Sequence, residues 1–374
     1  MRKFLYLCLF SALIAALGSY ALWTRERPGA HYLSDLRIQL AVDQGTPGDH
    51  GNLLAIQAEL FPTDYQSTER LHRKLAAYLQ QARDQGLVNA KTVVVLPEHI
   101  GTWLMVGGEK NELYQARTQR EAMNWLAVSN PLPFLKALLG AKGQSRLDDA
   151  YLRMKAKKMA KDYQLLFGGL AREFKVTLVA GSIILPDPSV NQGQLQIGSG
   201  ALYNSSLVFG SDGLPIGQPQ RQIFPERATG GFVRGDTRQG LQVIDTPAGR
   251  LGVLIGSDSW YPDNYRQLDR QGVQLVVAPA FIKGRDSWKQ PLRRERDMPP
   301  AANLQPEAQS LGEAWQRLTL TSRAPQSQAS AGVNVFLRGQ FWDQGSSGQS
   351  FVCSNGQTFV DQGNHGARLL NLWL

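Results

Sequence analysis

Residues 250–262 read RLGVLIGSDSWYP. An apolar run that meets a glycine and two short polar residues describes a buried strand stopping at a tight turn. Just upstream, Leu241–Gly256 (LQVIDTPAGRLGVLIG) reads as a hairpin turning at Pro247–Arg250. Downstream, Val273–Ala280 (VQLVVAPA) is a further buried strand. Near-continuous apolar strands of this kind belong to sheets covered on both faces, whereas half-exposed sheets show alternation.

The same grammar extends outward. Leu53–Gln57 reads as a buried strand, and Ser67–Gln85 as an amphipathic helix with Leu71, Leu75, Leu79 and Ala82 on one face. Thr92–Glu98 (TVVVLPE) is a β-branched strand closed by proline. Tyr151–Phe174 is a basic helical segment carrying Lys155, Lys157, Lys158 and Lys161. Val176–Leu185 and Gly200–Gly210 are strands, the second ending at the turn Ser211-Asp212-Gly213. Strands alternating with helices predict an α/β layered fold. Arg285–Gln309, rich in charge and proline, reads as a loop or insertion. No repeat or domain-scale linker interrupts residues 50–280, so the expectation is one domain over 28–374 with an insertion at 285–309.

Composition narrows the function classes. The 374 residues are 43% hydrophobic and 19% charged, which excludes wholesale disorder and fibrous structure. Two cysteines, Cys8 and Cys353, exclude a disulfide framework and a cysteine zinc cage. No phosphate-cradling loop, metalloprotease helix or dinucleotide fingerprint is present, so no metal or other cofactor is indicated. The net charge of +9 favours anionic partners, but without a nucleic-acid-binding motif it does not indicate nucleic acid.

Phe4–Trp23 is a run of 20 residues without a charge. About 20 apolar residues just cross a bilayer core of about 30 Å. A cleavable signal peptide would be cut after Ser19-Tyr20-Ala21. The run outlasts a typical signal core, and Leu22 and Trp23 extend it past that site, so residues 1–27 read as a single-pass signal anchor. Arg2 and Lys3 on one flank balance Arg25 and Arg27 on the other. A short basic start before an apolar run resembles an export signal, which places the large domain on the non-cytoplasmic side. Lys155–Lys161 and Arg293–Arg296 would then either lie on anionic lipid head groups or be solvated.

Val95-Leu96-Pro97-Glu98 puts a carboxylate at a strand end, where α/β folds gather their chemistry. Together with the 250–262 elbow and the strand ending at Pro279, this order resembles the carbon–nitrogen hydrolase, or nitrilase, superfamily. Ala201–Ser205 with Gly213, and Gly332–Phe336 with Gly348-Gln349-Ser350, resemble further family segments, so the likeness runs over about residues 50–374 outside the insertion. The resemblance implies a four-layer αββα sandwich, commonly assembled into homo-oligomers. It also implies a Glu–Lys–Cys triad acting at amide, nitrile or carbamoyl carbons, with glutamate as base, cysteine as nucleophile and lysine as oxyanion stabiliser.

Carried across position by position, the resemblance puts the general base on Glu98 and the nucleophile on Gly256, which has no side chain. In Gln220-Arg221-Gln222-Ile223-Phe224 the lysine position falls on Gln220. Asp258 matches the acidic residue two positions beyond the cysteine, and Glu226 a second glutamate of amidase-like members. His99, Trp103 and Trp260 are candidates to line the pocket. Two functions follow as expectations. One is a domain without its catalytic reagents that binds a small amide-like ligand or a partner. The other is an active amide hydrolase or acyltransferase in which Ser257, with Glu98 and Asp258, replaces the thiol.

Overall fold

A computed structural model of the chain describes residues 2–27, 32–226, 229, 231–292, 309–320, 329–363 and 365–374. Its helices are α1 (Arg2–Arg25), α2 (Thr68–Asp84), α3 (Asn111–Gln115), α4 (Gln119–Ser129), α5 (Pro131–Gly140), α6 (Arg146–Phe174), α7 (Pro262–Arg270) and α8 (Leu311–Leu318).

The apolar runs of the sequence become the strands of two principal sheets. In the first, the spatial order is Ile38–Gln44, Ala367–Trp373, Asn52–Gln57, Thr92–Val95, Thr177–Val179, Leu202–Phe209 and Pro215–Arg221, with Ile183–Pro186 also paired to Leu202–Phe209. In the second it is Val243–Thr246, Gly249–Val253, Leu275–Ala280, Ala331–Phe336, Phe351–Ser354 and Gln357–Val360. Parallel pairing joins 52–57 to 92–95 to 177–179, and 249–253 to 275–280 to 331–336.

Burial explains why these strands carry no polar stripe. Leu53, Val93, Val95 and Val179 of the first sheet interdigitate with Leu251, Val277 and Val333 of the second. Their opposite faces are covered too. Leu54 and Val94 pack under α2 and α6, through Leu71, Leu75, Leu79 and Phe167. Leu254 and Val276 pack with Tyr265 and Leu268 of α7 and with Trp315 of α8. Each fully buried aliphatic side chain contributes about 1.5–3 kcal/mol. The result is the four-layer αββα sandwich that the resemblance implies.

Local expectations mostly hold. The Ser67 hydroxyl caps α2 by accepting the Arg70 amide at 3.1 Å. The 241–256 hairpin turns between Thr246 and Gly249. Four differences have physical causes or limits. The expected 176–185 strand is broken between Val179 and Ile183. Gly181 sits there at φ +61°, and a Cβ on it would run into the Pro97 carbonyl oxygen. The basic helix starts five residues earlier than read, at Arg146, and its Lys155 is committed to an ion pair with Glu109 rather than to a lipid-facing patch. Lys158 pairs with Asp162 along the same helix. Residues 293–308 of the expected insertion, with Arg293–Arg296, lie outside the described residues.

α1 is long and apolar enough to cross a membrane, with none of its spanning window buried against the rest of the chain. Its end is seated. Tyr20 donates to the Val128 carbonyl at 2.6 Å, Trp23 meets Trp125 at 6.3 Å, and Arg27 donates to Ser129 at 3.2 Å.

The Gly181 contact yields a stability test. Gly181→Ala is expected to cost about 2–4 kcal/mol, combining the left-handed backbone penalty with overpacking against Pro97. Urea unfolding followed by circular dichroism measures it; a change under about 0.5 kcal/mol, the range of ordinary surface substitutions, contradicts the close approach.

Candidate active site

Four segments of the two sheets meet at one point. Glu98 follows the Thr92–Val95 strand, Asn204 lies on Leu202–Phe209, Gln222 follows Pro215–Arg221, and Gly256 follows Gly249–Val253. The break at 180–182 positions the first of these. Leu96 donates to Val179 at 3.0 Å, and the Ser182 hydroxyl accepts the His99 amide at 2.8 Å. His99 is left-handed, at φ +61°, which turns the chain sharply after Glu98.

Glu98 is 2% exposed. Its Oε1 accepts from Asn204 Nδ2 at 2.8 Å, and the Phe281 backbone amide also acts on the carboxyl. Asn204 also donates to Gln222 Oε1 at 3.1 Å, and Gln222 Nε2 donates to the Ile255 carbonyl at 3.1 Å. Next to that carbonyl stands Gly256, at φ +52°. A Cβ on Gly256 would lie 2.9 and 3.0 Å from the two Glu98 oxygens and 3.1 Å from Gln222 Nε2. The carboxyl and the glycine are therefore packed face to face.

The elbow after Gly256 is fixed by Asp258, which is fully buried. Its carboxyl accepts the backbone amides of Ile223 at 2.9 Å and Phe224 at 2.8 Å, tying the exit of the first sheet's last strand to the second sheet. Ser257 Oγ donates to the Phe224 carbonyl at 2.6 Å. Ser259 Oγ donates to the Gly256 carbonyl at 2.8 Å, closing the turn.

Burial dominates the electrostatics. It raises the Glu98 pKa well above the usual carboxylate range; Glu226 and Asp258 push the same way, against the Asn204 hydrogen bond. Asp258 is pushed up to about 7, burial outweighing its two amide donors. Burial also holds His99 down at about 4, so its ring is neutral at pH 7. Its Nε2 lies 3.8 Å from Glu98 Oε1.

The residues singled out in the sequence separate into groups. Glu98, Gly256 and His99 come together, and Glu226 lies close enough to act on Glu98 electrostatically. Ser257 and Asp258 belong to the elbow, with their oxygens engaged by the 223–224 backbone. Gln220 does not reach Glu98. It donates to the Arg221 carbonyl and accepts the Gln242 amide at 2.8 Å, and Gln222, two residues on along the same strand face, occupies the space instead. Trp103 stacks on Phe341 at 4.4 Å, while Trp260 packs edge-on against Trp315 at 4.9 Å in the core beneath α7 and α8. Sequence reasoning missed Asn204 and Gln222 as site residues. The signal for Asn204 was an uncharged amide inside an otherwise apolar strand, which burial obliges to find a partner.

A family model for carbon–nitrogen hydrolases matches residues 55–329. The chain belongs to the carbon–nitrogen hydrolase family. Its fold is similar to that of a mutant amidase of the nitrilase superfamily from Nesterenkonia, with a TM-score of 0.52, 14% identity, and coverage of 87% of this chain and 92% of that one. A double mutant of the same amidase in complex with acrylamide is alike at TM-score 0.52 and 14% identity over 88% of this chain and 93% of that one. At that identity the likeness speaks for the fold. Among curated proteins, the N-carbamoylputrescine amidase of Solanum tuberosum is 28% identical over 102 residues, 24% of this chain and 33% of that protein. A probable hydrolase of Bacillus subtilis, YhcX, is 27% identical over 128 residues, 34% of this chain and 22% of that protein. The chain thus spans between about a fifth and a third of the length of these curated relatives.

The raised carboxyl pKa values fix the sign of a pH dependence. Unfolded, both groups ionise in the ordinary acid range; folded, Glu98 and Asp258 still hold protons there. The native state then binds more protons, so stability falls as pH rises, by up to about 1.4 kcal/mol per pH unit for each group. For Asp258 this loss is complete once pH passes about 7. Glu98→Gln keeps an acceptor for Asn204 and removes the ionisation. It is expected to be more stable than the natural protein at about pH 8, with a flatter profile above about pH 5. Urea midpoints across that range measure this; a stability that rises with pH contradicts the protonated carboxyl.

Proposed function

We propose that this chain is a non-catalytic, membrane-anchored member of its family, in which residues 1–27 hold the 28–374 domain at a membrane, on the non-cytoplasmic side. The Glu98 site would bind a small amide-like ligand without cleaving it. The observation that carries this reading is Gly256, whose α-carbon packs against the Glu98 carboxyl where a nucleophile's side chain would have to project. Covalent catalysis needs a nucleophile within about 3 Å of its base. Asn204 donates to Glu98 and links it to Gln222, and the His99 ring stands 3.8 Å away; none of these is a nucleophile of the family's kind. Burial favours the protonated form of Glu98, the form in which its carboxyl can donate a hydrogen bond to a bound amide.

Nothing favours the serine alternative, since the Ser257 hydroxyl is directed to the Phe224 carbonyl. Retention of the anchor is supported by the seating of Tyr20, Trp23 and Arg27 on α4. The homo-oligomer implied by the family would be built from this anchored form.

Full-length protein in detergent or nanodiscs tests the reading. The expected outcome is no turnover of amides, nitriles or acyl donors above that of Glu98→Gln. Saturable binding of a simple carboxamide should weaken about three- to tenfold in Asn204→Ala, as for loss of one hydrogen bond. Turnover that Ser257→Ala abolishes would overturn the proposal.

A further inference from the structure

The seat of α1 lies next to the most exposed apolar helix of the domain. Tyr20 and Trp23 stack on each other at 5.9 Å in its last turns, and Lys110 lies over the Trp23 ring at 4.1 Å. Aromatic pairs of this kind mark the level at which a spanning helix leaves the hydrocarbon. Tyr20 reaches the carbonyl of Val128, near the end of α4, and α5 begins three residues later, at Pro131.

α5 has no buried residue. One side leans on α6, where Phe134 stacks on Tyr151 at 5.1 Å. The other presents Leu132, Leu135 and Leu139, which are 77%, 53% and 78% exposed. Their spacing puts them on one helical face of α5, and Val128, at 45%, is exposed near the end of α4. Three leucines bare on a ten-residue helix form a contiguous stripe rather than scattered surface apolar residues. At about 15 Å, the helix is too short to cross a bilayer core of about 30 Å. Within residues 131–147 the charged residues are Lys136, Lys142 and Arg146, and the acidic Asp148 and Asp149 follow at the start of α6. All three basic residues are exposed.

We propose that α5 is a second membrane contact. Its leucine face enters the head-group boundary of the leaflet from which α1 emerges, and Lys136, Lys142 and Arg146 meet anionic head groups. The inference rests on the reading of α1 as an anchor. It goes further by giving the domain a fixed face toward the membrane: a single helix alone leaves a domain free to swivel, and two contacts side by side do not.

The test uses the full chain in phosphatidylcholine vesicles, with and without phosphatidylglycerol. In a Cys8→Ser background, with Cys353 buried, single cysteines replace Leu13 in α1, Leu135 in α5, or Leu214, an exposed leucine on a distant turn. Each carries an environment-sensitive fluorophore and is challenged with spin-labelled lipid. Expected are strong quenching at Leu13 and loss of roughly half the emission at Leu135, as for burial of about 5–10 Å. Leu214 should stay unquenched, and quenching at Leu135 should increase with phosphatidylglycerol. Quenching at Leu13 without any at Leu135 overturns this inference and leaves the anchor standing; a blue shift at Leu135 without quenching assigns the stripe to a protein contact and overturns it too. Absence of quenching at Leu13 overturns the anchor reading and this inference with it.

Discussion

The close packing of the Glu98 carboxyl on the α-carbon of Gly256 is the constraint around which the site is organised. Any side chain at 256 would stand about 3 Å from both carboxyl oxygens and from the Gln222 amide. Glycine also accepts the left-handed backbone that the elbow adopts there, at φ +52°. The surrounding bonds hold the two halves in register. Asp258 pins the 223–224 backbone to the elbow, and Asn204 bridges Glu98 to Gln222. The Asp258 bonds, and that of Gln222 to the Ile255 carbonyl, join the two sheets, so the site is a buried seam of the sandwich.

That double role separates fold from chemistry. The inter-sheet core of valine, leucine and isoleucine is indifferent to what stands at residue 256, and a nitrilase-like sandwich persists around a glycine as readily as around a nucleophile. Burial shifts both carboxyls of the site toward their neutral forms, and hydrogen bonds from Asn204 and from the 223–224 amides offset part of the cost of burying them. On the proposed reading, the same groups that would handle a proton in a catalytic relative serve here to recognise an amide and to hold the seam.

Much of this was legible in the sequence. Strands such as Thr92–Val95 and Leu275–Ala280 announce themselves because both faces are buried, and α2 because its leucines recur at helical spacing. The break between Val179 and Ile183 shows in the sequence only as Gly181-Ser182 between two apolar runs, and the close approach of Gly181 to Pro97 is what makes those two residues interrupt the strand. The resemblance placed the lysine position on Gln220, but Gln222, two residues on, is the amide beside Gly256, because the Gln242 backbone amide, some twenty residues on, captures Gln220. α5 carries too few polar residues for periodicity to register, and its exposure emerges only once α6 and the end of α1 are in place.

The proposal that the site lacks a nucleophile is tested most directly by asking whether any atom of the site can be acylated. Full-length protein exposed to an excess of reactive acyl and haloacetamide donors, then analysed by intact mass and peptide mapping, reads this independently of turnover. No adduct is expected on any residue from 254 to 260, and a new adduct is expected at residue 256 in Gly256→Cys. An adduct on Ser257 of the natural protein, lost in Glu98→Gln, would contradict the proposal.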